Sequence, residues 1–532
     1  MFITTMRKIK NISIILFLAI GFVACTKDFL ELEPLTDRSE DNFYKTEQDA
    51  FEAIVSIYDV LQWQTGGGYH PWDLVCNILS DDAFAGGSGP GDRPGLVRMG
   101  KFSNFTNDEE PLGLWKDRYA GIYRANLFLD KVENIQFENE DLKTRFIAEA
   151  RFLRGYFYYE LVQFYGHIPL ILKPLSPTEN QQVAADPADV YDQIADDLYY
   201  AYQNLPENIP AAEKGRASKW AAGALLARVY LFHKGYGKGV LGITRDLKAG
   251  DKTLAETDIE AIIDDIVNNS GHALVPNYAD LWGVGNENNV ESIFEIQHTQ
   301  KADWGDWNWR NGTEGNWAVV MTGFRGVEDP IYDIGWSFQP ASKSLADEFE
   351  TGDPRYSVSI LDAAAEGLVY KPQDCYQHTG YAFKKFYPRK ADKPATNDAL
   401  NWPYNRPVIR FADVLLMGAE LNLDNDLGKA QDYYSRVRKR AFGDSHVPPT
   451  LTNDADGLDL IYHERRVEFA GEGLRYWDLL RRGLTYAEEK INAAAGAAPL
   501  DETFNSATLG LLPIPQTEIT LSGNKLTQNA GY

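Results

Sequence analysis

Cysteine is scarce, with three in 532 residues. Cys25 belongs to the N-terminal segment, and Cys76 and Cys375 form a lone distant pair that is read as two unpaired thiols. Basic residues are also short, 52 Lys and Arg against 77 Asp and Glu, a formal net charge of −25. That balance excludes nucleic acid, because phosphate neutralisation needs clustered cations, and it excludes a basic membrane-surface patch. Beyond the first residues no apolar run reaches the roughly 20 residues a membrane span requires. There is no His-Glu-x-x-His helix, no Walker phosphate loop and no Gly-x-Ser-x-Gly elbow. The run Gly86-Gly87-Ser88-Gly89-Pro90-Gly91 opens no convincing helix. The 8 histidines lack metal-ligand spacing, and His298 and His378 read as surface residues. Asp424-Asn425-Asp426 is not continued into a calcium-binding loop. No catalytic residue, metal or cofactor is therefore assigned.

Apolar residues make up 44% of the chain, enough for a sizeable core. The N-terminus carries Arg7, Lys8 and Lys10, then an apolar run from Ile12 to Ala24. The run has the length of a signal-peptide core and is too short to span a membrane. It ends in Phe22-Val23-Ala24-Cys25, which resembles a bacterial lipobox with Cys25 as the lipidated residue. Residues 1–24 are thus expected to be a lipoprotein signal, and 25–45 a polar tether that anchors the protein to the membrane without spanning it.

Thr46-Glu47-Gln48-Asp49 is a capping box, and Ala50, Ile54, Ile57 and Leu61 follow it at helical spacing. Further stripes run through Trp115, Tyr119, Ile122, Asn126 and Leu129; through Phe146 to Phe164; and through Ala222 to Phe232. A last pair comprises Ile409 to Leu423 and Ala430 to Val437. Helix–turn–helix pairs with small residues at crossings resemble tetratricopeptide units. Residues 271–405 lack that period and are rich in Gly, Asn, Asp, Trp and Pro, with short strand-like runs such as Ser292–Ile296. The expected fold is mainly α. A tetratricopeptide-like scaffold, 46–270 together with 406–532 as one compact unit, carries an inserted loop-rich lobe, 271–405, where ligand binding is expected.

Five blocks, in order, resemble the SusD/RagB family: Cys25 to Pro34 after the lipobox; Ala148-Glu149-Ala150-Arg151-Phe152-Leu153-Arg154-Gly155-Tyr156; Ile409 to Met417; Glu464-Arg465-Arg466-Val467-Glu468-Phe469 continuing to Leu479; and Pro513-Ile514-Pro515 with the terminal Gln528-Asn529-Ala530-Gly531-Tyr532. The resemblance implies a surface-exposed outer-membrane lipoprotein that captures a glycan for a TonB-dependent barrel transporter of the SusC type and does no chemistry. The alternatives are a peptide or other non-sugar nutrient on the same architecture and, after that, a glycoside hydrolase with two carboxylates about 5–9 Å apart.

The stretch Lys301–Trp317 holds Trp304, Trp307, Trp309 and Trp317, four of the 12 tryptophans, interleaved with Asn308 and Arg310. An indole face suits the C–H face of a sugar ring, and amides and guanidiniums suit its hydroxyls. Asp92 and Arg93 in the loop from Asp81 to Arg98, and Tyr69 with Trp72 beside Gly66-Gly67-Gly68, are further candidates. The arginine-rich blocks are read as ion pairs between helices, with Arg465 and Glu468 three apart on one face and Asp413 and Glu420 seven apart on another. Asn126 is read as a satisfied buried amide.

Overall fold

A computed structural model describes residues 43–64, 68–300, 314–395, 399–496 and 503–532. Cys25, Trp304, Trp307, Asn308, Trp309 and Arg310 lie outside the described residues. The longer helices are α1 (Glu47–Asp59), α2 (Glu109–Lys131), α3 (Glu140–Tyr165), α4 (Pro187–Asn204), α5 (Lys219–Phe232), α6 (Glu256–Asn269), α7 (Phe411–Asn422), α8 (Leu427–Phe442), α9 (Ala455–Glu468), α10 (Arg475–Arg482) and α11 (Leu484–Gly496). The fold is mainly α, as the periodicity implied.

Local chemistry sets the helix ends. Thr46 Oγ1 accepts from Asp49 N–H at 3.2 Å while Asp49 Oδ2 accepts from Thr46 N–H at 2.9 Å, closing the capping box. Asn139, Asp186 and Ser218 cap α3, α4 and α5, and Gly166, at φ +64°, ends α3. Successive helices pack as pairs, α2 on α3, α3 on α4, α4 on α5 and α5 on α6. α5 is buried on nearly every face, which its Ala-rich, almost wholly apolar sequence allows. At Gly418 a Cβ would stand 2.7 Å from the Tyr433 ring, so only glycine lets α7 and α8 close.

The chain leaves the helical stack after α6 and returns at α7, which packs directly on α6. Among the described residues the intervening lobe contains short helices, Ala318–Thr322, Lys343–Glu348 and Tyr356–Ser359, and short ribbons. Lys248–Ala249 (β1) and Lys252–Thr253 (β2) precede α6, and β3 (Ser292–Ile296), β4 (Ile360–Asp362), β5 (Tyr381–Phe383) and β6 (Arg406–Arg410) follow it. β3 pairs antiparallel with β6, closing the neck of the lobe, and β4 pairs with β5.

Buried arginines join lobe to scaffold. Arg410 reaches Glu291, Glu468 and Glu472, and Arg355 of the lobe reaches Glu464 and Glu468 of α9. The expected ion-pair role holds, with one correction. Arg465 does not pair with Glu468; it binds Asp413 at 2.7 Å and Asp478 at 2.8 Å, because both neighbours on its side of α9 are carboxylates. Glu420 receives Arg481. Asn126 is satisfied: its amide donates to Ile171 O at 2.7 Å and accepts from Arg154 at 2.9 Å. Cys76 and Cys375 are free, buried thiols. His298 departs from the surface reading: it is 8% exposed, and burial lowers its pKa to about 4. Asp426 caps α8.

Candidate ligand-binding site

The lobe residues 335–338, with Ser337 at φ +54°, form a segment hydrogen-bonded on two sides. Trp336 N–H donates to Val320 O at 2.7 Å and Phe338 N–H to Met321 O at 2.8 Å. On the other side Phe84 N–H donates to Pro340 O at 3.1 Å and Gly86 N–H to Phe338 O at 3.0 Å. The contact is so close that a Cβ on Gly86 would lie 1.9 Å from Ser337 O, and Gly87 follows at φ +107°. Glycine is the residue that permits both.

The base of the 81–93 loop is clamped electrostatically. Arg475 Nε and Nη2 donate to the two oxygens of Asp81 at 2.8 and 2.9 Å, and Arg466 Nε donates to Asp82 at 2.9 Å. Burial opposes ionisation of Asp81, but the guanidiniums of Arg466 and Arg475 hold it well below the usual carboxylate range. Burial, reinforced by the charge of Asp81, raises Asp82. Thus the fourth arginine-rich block fixes the loop that carries Asp92 and Arg93.

These supports bring four aromatic rings together. The Tyr69 ring lies 6.3 Å from that of Trp336 with planes inclined by 27°, 4.5 Å from Trp317 edge-on, and 5.8 Å from Phe338 edge-on. Trp317 meets Trp336 at 6.3 Å and 86°. Trp317 and Phe338 are buried at 2% exposure each, whereas Tyr69 and Trp336 are half-buried. The outcome is an apolar floor under a partly exposed aromatic pair.

Polar groups cover one face of Tyr69 and flank the pair. Arg93 sits in the left-handed region at φ +58° and places its guanidinium carbon 3.4 Å from the Tyr69 ring centroid. Its Nη1 bonds Glu109 at 3.2 Å. Asp92 accepts from Ser88 N–H and Oγ at 2.9 Å and from Arg325 Nη2 at 3.0 Å. Glu110, at the start of α2, is raised to about 7 by burial. Gln64 braces the cluster from below: its amide donates to Asn316 Oδ1 at 3.1 Å and its oxygen accepts from Trp317 N–H at 2.9 Å. Such an arrangement offers stacking for a flat apolar face and hydrogen bonds for surrounding hydroxyls.

Four residues singled out in sequence, Tyr69, Asp92, Arg93 and Trp317, converge here from three separate segments. Two readings are corrected. Trp317 is enclosed by Tyr69, Trp336 and the core, so it supports the pair and offers no open face. Trp72 lies elsewhere, in the helix Trp72–Ile78, at 7% exposure, with Arg406 4.3 Å over its ring and Trp477 beside it. Its burial follows from the helical phase that turns it toward α10. Trp336, Phe338 and Arg325 also stand at the site and are not among the residues the sequence singles out. The alternation of Trp336 and Phe338 across Ser337 within the lobe was the signal available. Among the described residues no three His, Cys, Asp or Glu side chains converge as a metal site.

Comparison with known proteins gives two family matches: residues 99–231 to the family described as starch-binding associating with outer membrane, and residues 290–532 to the SusD family. The chain is similar to "SusD-like protein P25" of Formosa agariphila, with 27% identity covering 90% of each chain. It is similar to the solved structure of a "Laminarin binding SusD-like protein", with 34% identity, 92% of this chain and 100% of that chain covered, and a TM-score of 0.80. Surface glycan-binding protein A from Bacteroides fluxus matches with 27% identity, the same coverage and a TM-score of 0.80.

Proposed function

The chain belongs to the SusD family, and on that footing we propose that it captures a neutral glucan of the laminarin kind at the Tyr69–Trp336 pair. The carrying observation is the partly exposed aromatic pair on a buried aromatic floor, rimmed by Arg93, Asp92 and Arg325. An uncharged ligand is favoured because the protein carries a net charge of −25, which repels polyanions. The solved relative with 34% identity is described by its laminarin binding, which supports the same ligand class. Trp304, Trp307, Trp309, Asn308 and Arg310 belong to this proposal on their chemistry alone, as further stacking and hydroxyl-binding groups.

SusD family proteins are associated with the outer membrane. In this reading Cys25 carries the lipid anchor, the protein faces the exterior, and the captured glycan passes to a TonB-dependent barrel of the SusC type. The scaffold of 46–270 and 406–532 holds the site rigid, and the lobe 271–405 contributes half of it. No helix among the described residues is long and apolar enough to cross a membrane. The protein binds and does no chemistry.

Native affinity electrophoresis of the chain from Thr26 onward, through gels containing laminarin or other polysaccharides, tests the proposal. Retardation by laminarin with the polysaccharide left intact is expected. Release of shorter sugars would mean hydrolysis, and no retardation by any glycan would overturn the reading in favour of a non-sugar nutrient.

A further inference from the structure

The Tyr69 ring is not bare. The Arg93 guanidinium carbon stands 3.4 Å from its centroid, which is van der Waals contact. Trp317 and Phe338, each 2% exposed, meet the ring edge-on from within the protein. The Arg93 side chain keeps 27% of its area exposed, so it covers the ring from the solvent side. A sugar that stacks its C–H face on Tyr69 needs the place the guanidinium holds. The two cannot occupy it together.

The cover is lightly fastened. Arg93 Nη1 donates to Glu109 Oε2 at 3.2 Å, and the Glu109 side chain is 62% exposed. An exposed ion pair and an exposed cation–π contact are each worth less than about ten-fold in an equilibrium. The backbone, by contrast, is fixed. Residue 93 lies at φ +58°, Pro94 follows it, and its carbonyl accepts from Leu96 N–H at 3.0 Å. Movement is therefore confined to the side chain. Glu109 is the first residue of α2, so its backbone is held as well. The neighbouring carboxylate of Asp92 is engaged with Ser88 and Arg325.

We propose that Arg93 is a displaceable cover on Tyr69, latched by Glu109, and that the glycan binds by moving the guanidinium off the ring. The inference rests on the function proposed above. Glu109 is then a positioning residue, acting through Arg93 without touching the sugar. The apparent affinity is the intrinsic affinity scaled by the fraction of molecules whose ring is uncovered. Whatever loosens the latch raises that fraction. Because the proposed ligand is uncharged, electrostatic screening reaches its binding only through the protein's own charges.

Calorimetric titration of the chain from Thr26 onward with a neutral β-1,3-glucan hexasaccharide tests it. The two conditions are about 0.1 and 1 M NaCl, between which the screening length falls from about 10 to 3 Å. Glu109→Gln is expected to bind about three-fold more tightly than wild type in the lower salt. Wild type is expected to gain about two-fold more affinity between the two salts than Glu109→Gln does. Salt also favours apolar burial, but that acts on both proteins alike, so their difference reads the latch. Matching melting curves exclude a folding defect, as the exposure of Glu109 leads one to expect. If Glu109→Gln binds no better than wild type, or if salt acts equally on both, Arg93 is no cover and the inference fails while the aromatic-pair reading stands. If wild type does not bind the hexasaccharide, both fall together.

Discussion

Tyr69 and Trp336 approach to 6.3 Å between ring centroids with planes only 27° apart, although 267 residues of sequence separate them. One comes from the scaffold side and the other from the lobe. Their near-parallel arrangement is the surface proposed to take a sugar ring, and buried Trp317 and Phe338 pack edge-on against Tyr69. Trp336→Ala is expected to weaken glucan binding by roughly ten-fold, about 1.4 kcal/mol. Because Trp336 is half-buried, the stability loss should be modest. Calorimetric titration and a urea melt on the same sample separate the two effects.

Trp72 should behave in the opposite way. It is buried against Trp477 and beneath Arg406, away from the aromatic pair. Trp72→Ala is expected to cost about 3–5 kcal/mol of stability and to leave the affinity of the folded protein unchanged. Urea unfolding followed by titration below the transition checks both halves.

Asp81 links the arginine-rich block to the site. Replacing it by Asn removes the carboxylate that Arg475 grips with two nitrogens and that Arg466 also meets at 3.0 Å. Leaving buried guanidiniums short of a partner costs about 3–5 kcal/mol. Hydrogen exchange should also quicken at Phe84 and Gly86, whose amides bond the 335–340 segment. Unchanged exchange there would separate the clamp from the loop.

Much of the scaffold could be read from sequence, because capping boxes and helical stripes act over a few residues and survive without knowledge of the partner helix. Thr46 and Asp49 form the cap their spacing implies. The residues of the site were only partly legible. The chemistry of Tyr69, Asp92 and Arg93 marks them in the sequence, but nothing local places Trp336 beside Tyr69. That meeting depends on the 84–87 segment hydrogen-bonding to 335–340 across some 250 residues. Burial was equally hidden: Trp72, Trp317 and His298 are sealed by elements distant in sequence. Arg465 and Glu468 share a helix face, yet stronger partners from α7, α10 and the lobe claim them.

Acid should remove stability over two pH ranges. Burial keeps His298 neutral by lowering its pKa to about 4, so stability is full above the unfolded value near 6.5 and falls as pH drops toward 4. Burial works against ionised Asp413, but Arg228 and Arg465 lower its pKa to about 2. Its contribution is therefore present above about pH 4 and is lost as pH falls through 2. Asp413→Asn is expected to lower the urea midpoint at pH 7 and to converge on wild type near pH 2. A constant difference across that range would contradict the assignment.

The most direct test is a crystal structure of the protein grown with a β-1,3-glucan hexasaccharide. The expected result is a sugar ring lying against the Tyr69–Trp336 surface, with hydroxyls in reach of Arg93 or Asp92. A ligand seated elsewhere, for instance between Tyr123 and Leu521 at the far side of α2, with the aromatic pair bare, would contradict the account.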